Sequence, residues 1–131
     1  MNMKLTKKIR PEFIDGKGGI TKLLDDGKTN IKSILLITSK KGSVRSNHYH
    51  KKDAHHIYMI SGAMEYYEKP VKGSKKTEKV VVKKGDIIYT PPMAIHTTRF
   101  LEDSVFMAFS IKSRNQKAYE SDTIRVASLI K

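Results

Sequence analysis

Gly42-Ser43-Val44-Arg45-Ser46-Asn47-His48-Tyr49-His50-Lys51-Lys52-Asp53-Ala54-His55-His56-Ile57-Tyr58-Met59-Ile60-Ser61-Gly62 holds four of the chain's five histidines within nine residues. Side chains of a strand repeat their direction every second residue, so His48 and His50 set two imidazoles side by side on one face. A turn through Lys51-Lys52-Asp53-Ala54 brings His55 or His56 back on the next strand. His96, which opens a later strand after Pro91-Pro92, approaches from the far side. One isolated histidine decorates a polar hairpin, whereas a His-x-His pair with two further candidates points to a metal or ligand site.

Outward from this stretch the apolar spacing is that of strands. Residues 31–38 are rich in β-branched side chains, and 55–61, 63–67, 79–83, 87–90, 96–101 and 105–111 repeat the pattern. Each ends in turn chemistry: Ser61-Gly62, Lys84-Gly85-Asp86, Pro91-Pro92 and Glu102-Asp103-Ser104. Many short strands of this kind predict an all-β sandwich or barrel. No window carries a long 3.6-residue period with caps, so helices should be few. The segment Phe13-Ile14-Asp15-Gly16-Lys17-Gly18-Gly19-Ile20-Thr21 reads as a turn feeding an early strand. Met59, Met64, Met93, Met107, Phe100, Phe106 and Phe109 read as core.

Composition narrows the function classes. With 131 residues, one domain over 1–131 is expected. No cysteine is present, which removes disulfides, thiolate nucleophiles and iron–sulfur clusters, so any metal must be held by His, Asp or Glu. The apolar runs are far shorter than a membrane span, and the charged start Met1-Asn2-Met3-Lys4-Leu5-Thr6-Lys7-Lys8 lacks the apolar core of a signal peptide, so a cytoplasmic protein with no membrane partner is expected. The net charge of +13 invites a nucleic-acid reading. However, the lysines between Lys69 and Lys84 fall largely in a loop marked by Pro70, Gly73 and Ser74, and no helix-turn-helix or RNA-recognition pattern is found. No nucleic-acid partner is expected; small anionic molecules fit the charge better. Nor is there a Gly-x-Ser-x-Gly elbow or a carboxylate pair of the glycosidase kind. Tyr58, Tyr66, Tyr67, Tyr89 and Tyr119 are read chiefly as strand packing that includes possible proton donors, and Glu65 as an exposed strand position.

Two spaced motifs carry a family resemblance. Gly42, five residues, His48-Tyr49-His50, four residues, His55, six residues and Gly62 resemble the first cupin motif, G-x5-H-x-H-x3–4-E-x6-G. Gly85, five residues, Pro91 and then His96 resemble the second, G-x5-P-x-G-x2-H-x3-N. The motifs span 42–62 and 85–100, and His55 stands where the family has Glu, Met93 where it has Gly, and Phe100 where it has Asn. The resemblance implies a double-stranded β-helix (jelly-roll) barrel and a homodimer. It also implies one divalent metal ion held by His48, His50 and His96, with His55 in the carboxylate slot; His56, the next residue along the strand, should point to the other face and is read as packing or surface. The likeness to four-histidine cupins associates the site with manganese, iron or similar ions, and imidazole ligation suits Zn, Fe, Cu or Ni. Four neutral imidazoles leave the ion its whole 2+ charge, a stronger Lewis acid that draws anionic oxygen ligands. The first reading is therefore a metal-dependent isomerase, epimerase, lyase or oxygenase acting on a small oxygen-rich or anionic substrate.

A second resemblance supplies the alternative. The 13–20 segment together with Arg45-Ser46-Asn47-His48-Tyr49-His50 is similar to the cupins of nucleotide-sugar pathways, the 3,4-ketoisomerases and epimerases, with Lys17, Ser46 and Tyr49 in place of their arginine, glycine and alanine. It implies metal-free proton transfer beside a keto group, with His48 or His50 as the catalytic base and Arg45 holding phosphate or a sugar oxygen. A ligand-binding cupin without turnover is the third reading.

Overall fold

The computed structural model describes residues 3–130. Its strands are β1 (Lys4–Thr6), β2 (Phe13–Asp15), β3 (Gly18–Ile20), β4 (Ser33–Ser39), β5 (Val44–His50), β6 (His55–Ser61), β7 (Ala63–Pro70), β8 (Glu78–Lys83), β9 (Ile87–Thr90), β10 (Ala94–Phe100), β11 (Ser104–Ser110) and β12 (Thr123–Arg125), with helix α1 (Gln116–Asp122) before the last. All pairings are antiparallel and form two five-stranded sheets, β1-β9-β6-β11-β4 and β12-β5-β10-β7-β8. This is the expected all-β jelly roll. The 13–20 segment is a separate exposed hairpin, β2 with β3, rather than a turn feeding one strand.

Inward-facing residues of both sheets share one core. Ile57, Met59, Ile88, Phe106 and Ala108 come from the first sheet, and Met64, Tyr66, Val82 and Phe100 from the second. Burying such side chains is worth roughly 1.5–3 kcal/mol each and sets the register, because a slip of one residue would turn every one of them outward. Phe109 is buried, but on the same outer side of β11 as Met107 and apart from the core that was expected to hold it. Two expected core residues are only half-buried. Met107 alternates with Phe106 and Ala108 and so faces outward, and Met93 sits in the turn between β9 and β10.

That turn explains a departure from the family motif. Met93 has φ +60°, and Ser46, which also replaces a glycine, has φ +74°. Both keep the left-handed conformation a glycine would adopt freely, at a cost on the order of 1 kcal/mol or more each. The Met93 turn is held in place from both sides: its N–H donates to the His50 carbonyl at 2.8 Å, and its carbonyl accepts from Val71 N at 3.0 Å. It thereby ties the end of β5 to the start of β10, the two strands that carry His50 and His96.

Candidate functional site

One end of the barrel holds a cavity of about 170 Å3 into which His48, His50, His55 and His96 all project, over a floor that includes Ile57 and Phe106. His48 and His96 are direct cross-strand partners on β5 and β10, with ring centroids 4.7 Å apart. His48 lies 4.7 Å from His50, and His50 lies 5.7 Å from His96. His55 reaches the cluster from the other sheet, 5.4 Å from His96 and 5.9 Å from His50. The expected arrangement is thus reversed: His96 stands beside His48, and it is His55 that comes from the far side. Residues 51–54 do not form a hairpin turn, because β5 and β6 belong to different sheets. His56 is on the outer face of β6, its ring 4.7 Å from Tyr89, as expected.

Two of the rings have their tautomers fixed. His96 Nδ1 lies 3.0 Å from the Ala94 carbonyl, which can only accept, so Nδ1 carries the proton and Nε2 the lone pair. That Nε2 is buried with no hydrogen-bond partner. Thr123 Oγ1 gives its proton to the Tyr119 carbonyl at 2.6 Å, which leaves its oxygen to accept from His50 Nδ1 at 3.2 Å, so the His50 lone pair is also on Nε2. Fixing one ring nitrogen to present the other is what metal-ligating and basic histidines share.

Burial is the leading reason all four imidazoles resist protonation. It pushes His96 down to about 4, and His48 to about 3 with help from the neighbouring rings of His96 and His50. His55 is held well below its usual value by burial and then by the other histidines. His50 is lowered by burial, but Asp53 and Asp122 pull the other way. At neutral pH the cluster is uncharged and rich in lone pairs. Potential ligating atoms of His48, His50 and His96 lie within 4.8 Å of one another, as do those of His50, Asp53 and His55. Neutral nitrogen donors, one of them a buried orphan, fit a divalent cation.

Arg45 lines the same cavity, anchored by Nε to Ser39 Oγ at 2.6 Å and by Nη2 to the Thr38 carbonyl at 2.9 Å. Its remaining N–H groups stay available for an anion. Arg114 also lines it, its guanidinium carbon 3.5 Å from the centre of the Tyr119 ring, which itself lies 5.6 Å from the His50 ring. Tyr119 is the one tyrosine among the described residues at the cavity. Tyr66 is fully buried, its hydroxyl donating to Glu68 at 2.7 Å. Glu65 is buried rather than exposed and faces away from the site, paired with Lys79 at 2.8 Å and with Arg99. Asp53, Arg114 and Thr123 were not legible as site residues. Asp53 resembled any turn aspartate, and the other two lie in a C-terminal stretch with no apolar period.

The family model described as "Cupin domain" matches residues 35–112. A search of curated proteins found no match. Among solved structures, the chain is similar to the sugar 3,4-ketoisomerase QdtA from Thermoanaerobacterium thermosaccharolyticum in complex with TDP, at 19% identity over 95% of this chain and 88% of that one, TM-score 0.73. It is similar to dTDP-4-dehydrorhamnose 3,5-epimerase from Sulfolobus tokodaii, at 19% identity over 100% of this chain and 86% of that one, TM-score 0.76. It is also similar to the TDP-quinovose 3,4-ketoisomerase WlaRB from Campylobacter jejuni, at 18% identity over 95% and 92% of the two chains, TM-score 0.75.

Proposed function

This chain belongs to the cupin family, and on that scaffold we propose that it is a nucleotide-sugar isomerase or epimerase that moves a proton beside the keto carbon of a 4-keto-6-deoxy sugar. The observation that carries the proposal is the pairing, within one cavity, of uncharged imidazoles whose lone pairs are fixed on Nε2 with two arginines, Arg45 and Arg114. The names of the similar solved structures favour this alternative over the metal-first reading. His50 is the base: Thr123 holds its tautomer, and Asp53 and Asp122 stand close enough to favour the imidazolium it becomes. His50 Nε2 takes the proton from the carbon beside the ketone, leaving an enolate. Returning a proton to the opposite face of that carbon gives the epimer. Returning it to the former carbonyl carbon, while the hydroxyl proton passes between the two oxygens, gives the ketoisomer. Arg45 and Arg114 grip the diphosphate, a task suited to a forked guanidinium.

The test is deuterium incorporation at the sugar carbon, followed by NMR in deuterated water with a TDP-4-keto-6-deoxy sugar. Exchange that His50→Gln abolishes is expected. Absence of exchange in both metal-free and metal-loaded protein, across TDP, UDP and GDP sugars, overturns the proposal.

A second reading has its own observation, the partnerless buried Nε2 of His96 among three further imidazoles. Under it His48, His50, His55 and His96 hold one divalent ion, which would supply Lewis acidity to a substrate oxygen. Elemental analysis of tag-free protein tests this: well under one metal per chain after reconstitution removes it.

A further inference from the structure

With His55 in the family's carboxylate slot, the four-imidazole set contains no anion. The structure brings one from two residues upstream. Asp53 lies where the chain crosses from β5 to β6, and the crossing is clamped by Asp122 at the end of α1, which accepts from Lys52 N at 2.9 Å and from Asp53 N at 3.0 Å. The Asp53 side chain is directed inward. The residue is only 9% exposed, lines the histidine cavity, and buries Oδ1 with no hydrogen-bond partner. A carboxylate oxygen withdrawn from water without a donor is costly, and native proteins seldom leave one so. Burial pushes the Asp53 carboxyl up, while the His50 ring and the backbone N–H groups of Ala54 and Lys112 favour its ionised form. The atoms of His50, Asp53 and His55 that could meet a cation are within 4.8 Å of one another.

We infer that Asp53 is a carboxylate ligand of the divalent cation at this site, which it shares with His50 and His55. The inference rests on the metal-holding reading above and changes its chemistry. One carboxylate reduces the charge left on the ion from 2+ to +1 and adds a hard oxygen donor, which widens the set of suitable metals toward manganese. It also places the anion on the sheet crossing, next to where the family motif carries it.

The experiment titrates chelator-treated full-length protein with manganese(II) and cobalt(II) by calorimetry, in the wild type, Asp53→Asn and His56→Ala. Wild type and His56→Ala should load alike. Asp53→Asn should bind about tenfold or more weakly, and its cobalt d–d bands should shift as an oxygen ligand leaves. Asp53→Asn that binds like wild type, with an unchanged cobalt spectrum, overturns this inference and leaves the metal reading standing; a wild type that loads no metal overturns both. Should Asp53→Asn fail to fold, infrared difference spectra of wild type labelled with carbon-13 at the aspartate carboxylates decide. A carboxylate stretch that moves on metal loading supports Asp53, and its absence overturns it.

Discussion

The glycine that closes the first motif gives a quantitative test of how the histidine-bearing strands are held in register. Gly62 joins β6 to β7 across the two sheets with φ +91°, and a Cβ built there would lie 2.6 Å from the Asp103 carbonyl oxygen and 2.7 Å from Ser104 Cα. Gly42, at the other end of the motif, has φ +86° with nothing within 4 Å of such a Cβ. Alanine at Gly42 therefore meets backbone strain alone, about 1–2 kcal/mol, offset in part by the stiffer unfolded chain. Alanine at Gly62 meets the same strain and must also displace the start of β11, an overpacking cost of about 1–3 kcal/mol. At roughly 4 °C per kcal/mol for a chain of this size, Gly42→Ala should lower Tm by about 4 °C and Gly62→Ala by about 12 °C. Differential scanning calorimetry of metal-free protein measures both. Equal falls, or a Gly62→Ala protein within about 2 °C of wild type, would refute the close approach of β11 to this turn.

Four further outcomes are expected. Because the folded-state values of His48 and His96 are depressed, both states are neutral above about pH 6.5, and below it only the unfolded chain takes up protons. Stability of metal-free protein should therefore fall as pH drops from about 6.5 toward 4, with His96 alone costing on the order of 2 kcal/mol by about pH 5; a urea midpoint unchanged between neutral and that pH contradicts it. His55→Ala should lose bound metal while His56→Ala keeps it, and the reverse result by elemental analysis means that the outward His56 has been misjudged. Arg45→Lys should raise KM for a TDP sugar about tenfold or more with little change in kcat, since lysine cannot reproduce the fork, and an unchanged KM removes Arg45 from phosphate binding. A homodimer, expected from the family likeness, would cover Ile34 and Leu36, exposed at 59% and 68% on edge strand β4; light scattering that gives a monomer at tens of micromolar ends that expectation.

The jelly roll was legible because its evidence is local: alternating side chains such as Leu35 and Ile37, turn residues between strands, and two spaced glycine and histidine motifs. Which sheet delivers His55 was not, because periodicity within β5 and β6 says nothing about whether residues 51–54 turn back or cross over. Met93 looked like core for the same reason that any methionine does, whereas its turn demands a conformation the residue type does not advertise. Helix α1 buries none of its side chains and so leaves no apolar stripe to read, yet the stretch around it supplies Arg114, Tyr119 and Thr123. Among the described residues no helix is long and apolar enough to cross a membrane. The carbonyl and the hydroxyl that fix two rings were also invisible in the sequence, because they are set by how β10 and the stretch after α1 pack against the histidines.

Those two anchors differ in how far mutation can reach them. The tautomer of His50 depends on a side-chain hydroxyl, so replacing Thr123 by valine removes the acceptor and frees the ring, a change within reach of ordinary drift or design. His96 is held by the backbone carbonyl of Ala94, which every amino acid at that position carries. One imidazole of the cluster is adjustable by substitution and the other is effectively inherited with the fold, so new activities on this barrel have more room to arise at His50 than at His96.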